Sequence, residues 1–83
     1  KDGKGGVRLY PNPNRGSFTV AGITSPEVHV EIINAVGQVV YRDRATQLTG
    51  ELTIKAQLTQ GIYLIKLQEN NNQKQTLKFT VAE

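Results

Sequence analysis

Two stretches decide the fold of this chain: Leu58-Thr-Gln-Gly-Ile-Tyr-Leu-Ile-Lys-Leu67 and Gln75-Thr-Leu-Lys-Phe-Thr-Val-Ala-Glu83. The second alternates apolar and polar residues, which is the two-residue period of a β-strand with one buried face. The first is an almost continuous apolar run, which predicts a central strand covered on both faces, or on one face and by a neighbouring subunit. Asparagines at 70–72 suit the tip of a tight hairpin between them. The two stretches are therefore predicted to pair and to close a small β domain.

Each of the two predicted strands has an inward side and an outward side. The inward residues are Tyr63, Ile65, Leu67, Leu77, Phe79 and Val81. Ile62 and Leu64 are left on the opposite side of the first strand, where an exposed apolar surface could support a weak dimer or strand exchange. Lys78 lies on the outward side of the second strand, and the predicted core does not need it.

Five further segments have strand character, at residues 7–10, 16–21, 27–34, 37–42 and 51–55. Seven short strands spaced roughly ten residues apart, with turn residues between them and no helical period, indicate an all-β fold. The prediction is an immunoglobulin-like antiparallel β-sandwich of about seven strands, with a barrel as the alternative. Residues 1–6 are rich in glycine and charge and are predicted to be a flexible linker, so the domain should span 7–83.

Some side-chain placements follow from the same alternation. Val39 and Tyr41 are predicted to face the core, although the adjacent valines at 39 and 40 leave the register of that strand open. Ala21 is predicted to share the polar side of its strand with Ser17 and Thr19. Residues 42–49 are polar and poorly patterned, so we expect a crossing between sheets there, with at most a brief strand at 45–47.

The segment Pro11-Asn-Pro-Asn-Arg-Gly16 is the most distinctive local signal. Each proline fixes its own φ and pushes the preceding residue out of the helical region. Asn14 and Gly16 can adopt a positive φ, and the segment is therefore predicted to be a stiff, pre-formed turn. The hairpin at 34–37 is expected to use Gly37, and in second place Asn34, in the same way.

Composition limits the classes of function. The chain has 83 residues, no cysteine and a net charge of +3 whose carriers are scattered along the sequence. A protein that binds nucleic acid usually concentrates its basic residues on one face, together with aromatic residues for stacking. This chain does neither, so it is not expected to bind nucleic acid. No apolar run is long enough to span a membrane, and residues 1–6 lack the apolar middle of a signal peptide. The chain is expected to be a piece of a longer protein.

No catalytic group is assembled by the sequence. His29 is the single histidine and lies between Glu27 and Glu31 on a polar strand face, which suits a surface residue better than a general base or a metal ligand. Serine occurs only at positions 17 and 25, and there is no phosphate-binding or dinucleotide-binding motif. We therefore expect no enzyme, no cofactor and no metal, and a function based on recognition.

Three spaced segments together resemble a known family: 9–20, beginning Leu-Tyr-Pro-Asn-Pro-Asn, 30–40, beginning Val-Glu-Ile-Ile-Asn, and 58–67 with 77–81. This pattern resembles the type A C-terminal sorting domain of the type IX secretion system of Bacteroidota, over residues 7–83. The resemblance implies a β-sandwich behind an unrelated cargo domain, whose partners are translocon components and a sortase-like cysteine protease. It also implies export through the periplasm to the cell surface or beyond, with a cut in or before residues 1–6.

The resemblance also implies which residues the secretion machinery would recognise. They are Pro11, Asn12, Pro13, Gly16, Gly37, Gly61, Tyr63, Lys78, Phe79 and Val81. Turn geometry accounts for the glycines and the core accounts for Tyr63, Phe79 and Val81, so Lys78 is the candidate for direct contact. The alternative is a permanent immunoglobulin-like spacer, or an adhesion or carbohydrate-binding module, of an extracellular protein.

Overall fold

A computed structural model describes residues 6–69 and 74–82, which form seven β-strands and no helix. The strands are β1 (Arg8–Tyr10), β2 (Ser17–Ala21), β3 (Val28–Ile33), β4 (Val39–Ala45), β5 (Glu51–Lys55), β6 (Gly61–Glu69) and β7 (Lys74–Val81). They make one sheet in the order β1-β2-β5 and a second in the order β4-β3-β6-β7, and every pair of neighbouring strands is antiparallel. The prediction of an immunoglobulin-like sandwich is confirmed, and the barrel alternative is wrong.

The core lies between the two sheets and follows the predicted alternation. Its buried members are Val7, Phe18, Val20, Ile23, Val28, Val30, Ile32, Ile54, Tyr63, Ile65, Leu67, Phe79 and Val81. Phe79 is at the centre, with its ring centroid 4.8 Å from that of Phe18 on the opposite sheet and 5.7 Å from that of Tyr63 on β6. Leu77 is partly buried against this cluster. The inward side predicted for β6 and β7 is thus confirmed.

β6 is a central strand that pairs with β3 on one side and with β7 on the other. Its outer side is nevertheless open to solvent: the exposed fractions of Ile62 and Leu64 are 51% and 39%. The prediction that this chain covers both faces of the strand is therefore wrong for the described residues. The hairpin tip predicted at 70–72 and most of the linker predicted at 1–6 lie outside the described residues.

β4 differs most from the prediction. It continues to Ala45, so residues 42–45 are strand rather than a crossing, and the brief strand expected at 45–47 does not form. The pairing with β3 shifts between Ile32 and Ile33, where Ile32 faces Tyr41 but Ile33 faces Val39. This bulge turns Val39 to the solvent side, where 42% of it is exposed, while Tyr41 packs against the core as predicted.

Ala21 lies on the predicted side of its strand, with Ser17 and Thr19, but it is only 3% exposed although that side is otherwise polar. Its direct partners on the neighbouring strands are Arg8 and Glu51. Paired residues share one face of a sheet, so the short methyl group of Ala21 lies between two residues with long side chains on that face.

Glu69 holds the loop at 22–26 against the end of β6. Its carboxylate is buried, and Oε1 accepts hydrogen bonds from Thr24 Oγ1 at 2.7 Å and from the Ser25 amide at 2.8 Å. Burial by itself would raise the pKa of the Glu69 carboxyl, but the hydrogen bonds from Thr24 and Ser25 outweigh it and hold the pKa below its ordinary value. Glu69 is therefore ionised and structural at neutral pH.

Candidate functional site

The predicted turn at 11–16, hereafter the proline turn, binds the end of β7. The Asn14 amide donates to the Thr80 carbonyl at 3.0 Å, and the Ala82 amide donates to the Asn14 carbonyl at 2.8 Å. These two bonds form a parallel bridge between Asn14 and Val81. The Thr80 amide also donates to Asn12 Oδ1 at 2.9 Å. The turn thus acts as a very short extra strand on the outer edge of β7.

The proline turn is shaped by the side chain of Asn14, which is only 5% exposed. Asn14 Nδ2 donates to the Pro11 carbonyl at 3.1 Å, and Asn14 Oδ1 accepts from the Gly16 amide at 2.8 Å. Asn14 does not adopt the predicted positive φ, since Gln47 is the one non-glycine residue that does so among those described. The turn is formed instead by hydrogen bonds from the Asn14 side chain to the neighbouring backbone.

Gly16 ends the proline turn at a place where no other residue fits. Its φ is 101°, as predicted, and its carbonyl accepts a hydrogen bond from the Ala56 amide at 2.8 Å. A Cβ at this position would overlap the Ala56 carbonyl oxygen. The glycine therefore allows the segment after β5 to lie directly against the turn.

Gly61 and Tyr63 meet β7 from the other side. Gly61 pairs directly with Val81, and Tyr63 pairs with Phe79. The Tyr63 hydroxyl donates to the Thr59 carbonyl at 2.6 Å, which fixes the segment that leads into β6. We call this end of the sandwich, formed by the proline turn, residues 58–63 and residues 79–82, the closing end.

The structure therefore brings together eight of the ten predicted recognition residues at the closing end, namely Pro11, Asn12, Pro13, Gly16, Gly61, Tyr63, Phe79 and Val81. Gly37 lies apart from β7, in the hairpin between β3 and β4, with a φ of 92° and with open space around it. The neighbouring hairpin residues 34–36 form one wall of a shallow groove whose other wall is 57–63. Gly37 itself does the work of a turn residue.

Lys78 lies on the outer face of the four-stranded sheet, the side away from the core, and it is exposed. Its direct partner on β6 is Leu64. The ion pairs formed among residues 6–69 and 74–82 join Arg42 to Glu31 and Arg44 to Glu27, toward the opposite edge of the sheet. Within those ranges the Lys78 ammonium group is therefore open to a partner.

His29 is exposed on the same outer face, which agrees with its prediction as a surface residue. Glu27 and Glu31 accept the arginine ion pairs at 2.9 and 3.2 Å. Across the described part of the chain, no group of three His, Cys, Asp or Glu residues could hold a metal ion. The same part contains no helix long and apolar enough to cross a membrane.

Residues 8–82 match the family described as "Secretion system C-terminal sorting domain". The chain belongs to this family. As a sorting domain it is a signal for type IX secretion, and it marks a protein for export to the cell surface or the extracellular space. The family is one of sorting signals and not of catalysts.

The sorting domain is also similar to part of a much longer protein, an "Endo-acting ulvan lyase" of Formosa agariphila. The two are 35% identical over 75 residues, which is 90% of this chain and 14% of the lyase. The chain thus spans a small fraction of the length of the relative that it matches.

Two residues of the sorting domain were missed in their actual role. Asn14 bonds both within the turn and to β7. Thr80 bonds to both asparagines, since its carbonyl accepts from the Asn14 amide and its amide donates to Asn12 Oδ1. The local chemistry of Asn14 was visible in the sequence, since asparagine side chains commonly hydrogen-bond the backbone two residues on. The contacts with Thr80 were not visible, because they are long-range: the bond between Asn12 and Thr80, for example, joins residues 68 positions apart.

Proposed function

We propose that the closing end and the outer face of β7 are what the type IX secretion machinery reads on the folded domain. In this account the translocon components bind the folded domain, and Lys78 contacts them directly. The cargo is an upstream domain of the same protein. The domain acts as a monomer, or as a weak dimer through the exposed Ile62 and Leu64.

The main support for this proposal is that β7 is hydrogen-bonded at both of its edges. One side of the strand pairs with β6 over its full length, while the proline turn holds Thr80 and Ala82 on the other side. A strand fixed at this end presents its exposed lysine in one defined position, and recognition of a pre-ordered surface avoids the entropic cost of ordering it on binding. Lys78 has no described ion pair and is outside the core, so folding does not account for it.

The experiment is a reporter fused to residues 1–83 and given an export signal, in a bacterium that has the type IX system. The intact fusion should reach the cell surface, and deletion of residues 75–83 should leave it in the periplasm. Substitution of Lys78 by alanine should have the same effect on delivery without unfolding the domain. Surface delivery that survives the deletion would contradict the proposal.

We further propose that a sortase-like cysteine protease removes the domain in or before residues 1–6, after which the cargo is anchored or released. Glycine-rich segments at the edge of a domain are favoured sites of proteolysis, which supports this position. Mass spectrometry of the mature parent protein tests it. Retention of residues 7–83 in the exported protein would contradict cleavage and would favour a permanent spacer or adhesion module.

The similarity to the lyase covers only 14% of that protein. We propose that the shared part is the sorting signal and that the action on ulvan belongs to the remainder of the relative. The reporter experiment tests this as well, because a neutral cargo should be delivered without any lyase sequence.

A further inference from the structure

β7 is the last strand of the four-stranded sheet, and its outer edge is only partly covered. The proline turn bonds to Thr80 and Ala82. Between Lys74 and Phe79, no residue within 6–69 or 74–82 forms a strand on that side. An edge of this kind presents unpaired backbone groups to which another chain can add.

The direction of those backbone groups follows from Thr80. Its amide and its carbonyl both bond to the proline turn, so they point away from β6. Backbone groups alternate in direction along a strand of an antiparallel pair. The amides and carbonyls of Thr76 and Lys78 therefore also point to the free edge, whereas those of Leu77 face β6.

The side chains of the same residues add charge to this edge. Lys74, Thr76 and Lys78 are all exposed and lie on the outer face of the sheet. A strand that pairs with them would place its own outward side chains beside two lysines, for which no ion pair exists among the described residues. Opposite charges at directly paired positions stabilise a sheet.

We propose that the edge of β7 from Lys74 to Lys78 binds an extended, acidic segment of a partner protein as an additional strand of the four-stranded sheet. Backbone hydrogen bonds to Thr76 and Lys78 hold the segment, and carboxylates on its outward side chains pair with the two lysines. This inference rests on the proposed function, because the partner is the protein of the secretion machinery that reads β7.

A second copy of this chain does not fit the same edge. Two antiparallel copies could pair their free segments over the full length only in the register centred on Thr76. In that register Lys74 of each copy lies directly opposite Lys78 of the other, so two pairs of lysines face each other. Like charges that are directly opposite destabilise a sheet, and lysines on edge strands are a common device against self-pairing. The charge of the edge thus selects an acidic partner rather than a homodimer.

The test uses the 83-residue chain and a synthetic acetylated and amidated peptide, Ser-Glu-Val-Glu-Val-Ser, as the probe. Nuclear magnetic resonance should show the largest shifts, and slowed hydrogen exchange, at the amides of Thr76 and Lys78. A matched peptide with lysine in place of glutamate should bind at least about fivefold more weakly. Equal binding of both peptides, or shifts confined to other residues, would overturn the inference.

Thr76→Pro removes the backbone N–H that points to the free edge, and its ring obstructs an added strand. The backbone hydrogen bonds between β7 and β6 do not use that N–H. This substitution should abolish binding of the acidic peptide, whereas Thr76→Ala, which keeps the backbone amide, should bind like the unmodified chain. If Thr76→Pro does not fold, Lys78→Glu serves as the second variant. It is expected to lower the affinity for the acidic peptide at least about fivefold. Unchanged binding by folded Thr76→Pro, or by Lys78→Glu, would overturn the inference.

Reporter delivery separates this inference from the proposed function. If Lys78→Ala blocks delivery but folded Thr76→Pro does not, recognition of β7 stands and strand addition is overturned. If neither variant affects delivery, the proposed function is overturned as well. If Lys78→Ala instead makes the chain self-associate without weaker peptide binding, the lysine protects the edge and does not recruit a partner, which also overturns the inference.

Discussion

The two ends of the sandwich are each held by one buried polar side chain, but the chemistry differs. At the closing end, the neutral amide of Asn14 shapes the proline turn that binds β7. At the opposite end, the ionised carboxylate of Glu69 holds the loop at Thr24 and Ser25. An amide does not titrate between neutral and acidic pH, whereas a carboxylate takes up a proton in acid. The end that we assign to recognition therefore keeps its hydrogen bonds in acid, whereas the other end depends on a carboxylate that takes up a proton there.

The largest expected effect is that of Gly16→Ala, which attacks the closing end. A Cβ would overlap the Ala56 carbonyl oxygen, and the φ of 101° is unfavourable for alanine. We expect the free energy of unfolding to fall by more than about 2 kcal/mol, measured by urea denaturation. Gly37→Ala is the matched control, because its φ is 92° but a Cβ would meet open space. It should cost only about 1 kcal/mol, and equal losses would contradict the close approach at Gly16.

Asn14→Ala should give the next largest loss. It removes the bonds to the Pro11 carbonyl and the Gly16 amide, and it leaves a buried amide without its partner. The expected cost is about 1–3 kcal/mol of unfolding free energy, together with faster hydrogen exchange at the Ala82 amide. The loss should be the same at pH 6 and at pH 3. A loss that depends on pH over this range would contradict the contrast between the two ends.

Glu69→Gln should cost about 1–2 kcal/mol at pH 7 and should change the pH dependence of stability. The pKa of the Glu69 carboxyl is lower in the folded chain than in the unfolded one, so the unfolded chain binds the proton first as the pH falls. The stabilisation is full above the ordinary glutamate pKa of about 4.3 and is lost as the pH falls through the folded value. Glu69→Gln has no carboxyl to protonate at this position, so its free energy of unfolding should fall less on acidification than that of the unmodified chain. An unchanged stability difference between pH 6 and pH 3 would contradict the assignment.

The smallest expected effect on stability is that of Lys78→Ala. The side chain is exposed and has no described ion pair, so the free energy of unfolding should change by less than about 0.5 kcal/mol in thermal or urea denaturation. A large drop in melting temperature would instead mean that Lys78 is part of what holds the sheet together.

Local patterns were enough to predict most of this architecture. Alternation identified seven strands and the buried sides of β6 and β7, because a strand with one face in the core must repeat every two residues. The same period also puts Glu69 on the inward side, in line with Tyr63, Ile65 and Leu67. Which residues would satisfy the buried carboxylate could not be predicted, since Thr24 and Ser25 are more than 40 positions away.

The errors have two physical causes. Val39 and Val40 are identical side chains, so no pattern could reveal the bulge that turns Val39 to solvent. The proline turn was predicted as a turn, but its docking on Thr80 depends on the path of the whole chain between them. The grouping of eight predicted recognition residues at one end is thus a property of the fold that the sequence alone did not provide.

Recognition of the outer face of β7 is tested most directly by the surface delivery of a reporter fused to residues 1–83, compared between Lys78→Ala and Lys55→Ala. Both lysines are exposed on strands, but Lys55 lies on β5 in the other sheet. Both variants should fold with unchanged melting temperatures. If Lys78 is recognised directly, Lys78→Ala leaves the reporter in the periplasm while Lys55→Ala delivers it normally, and equal delivery by the two folded variants would contradict direct recognition of Lys78.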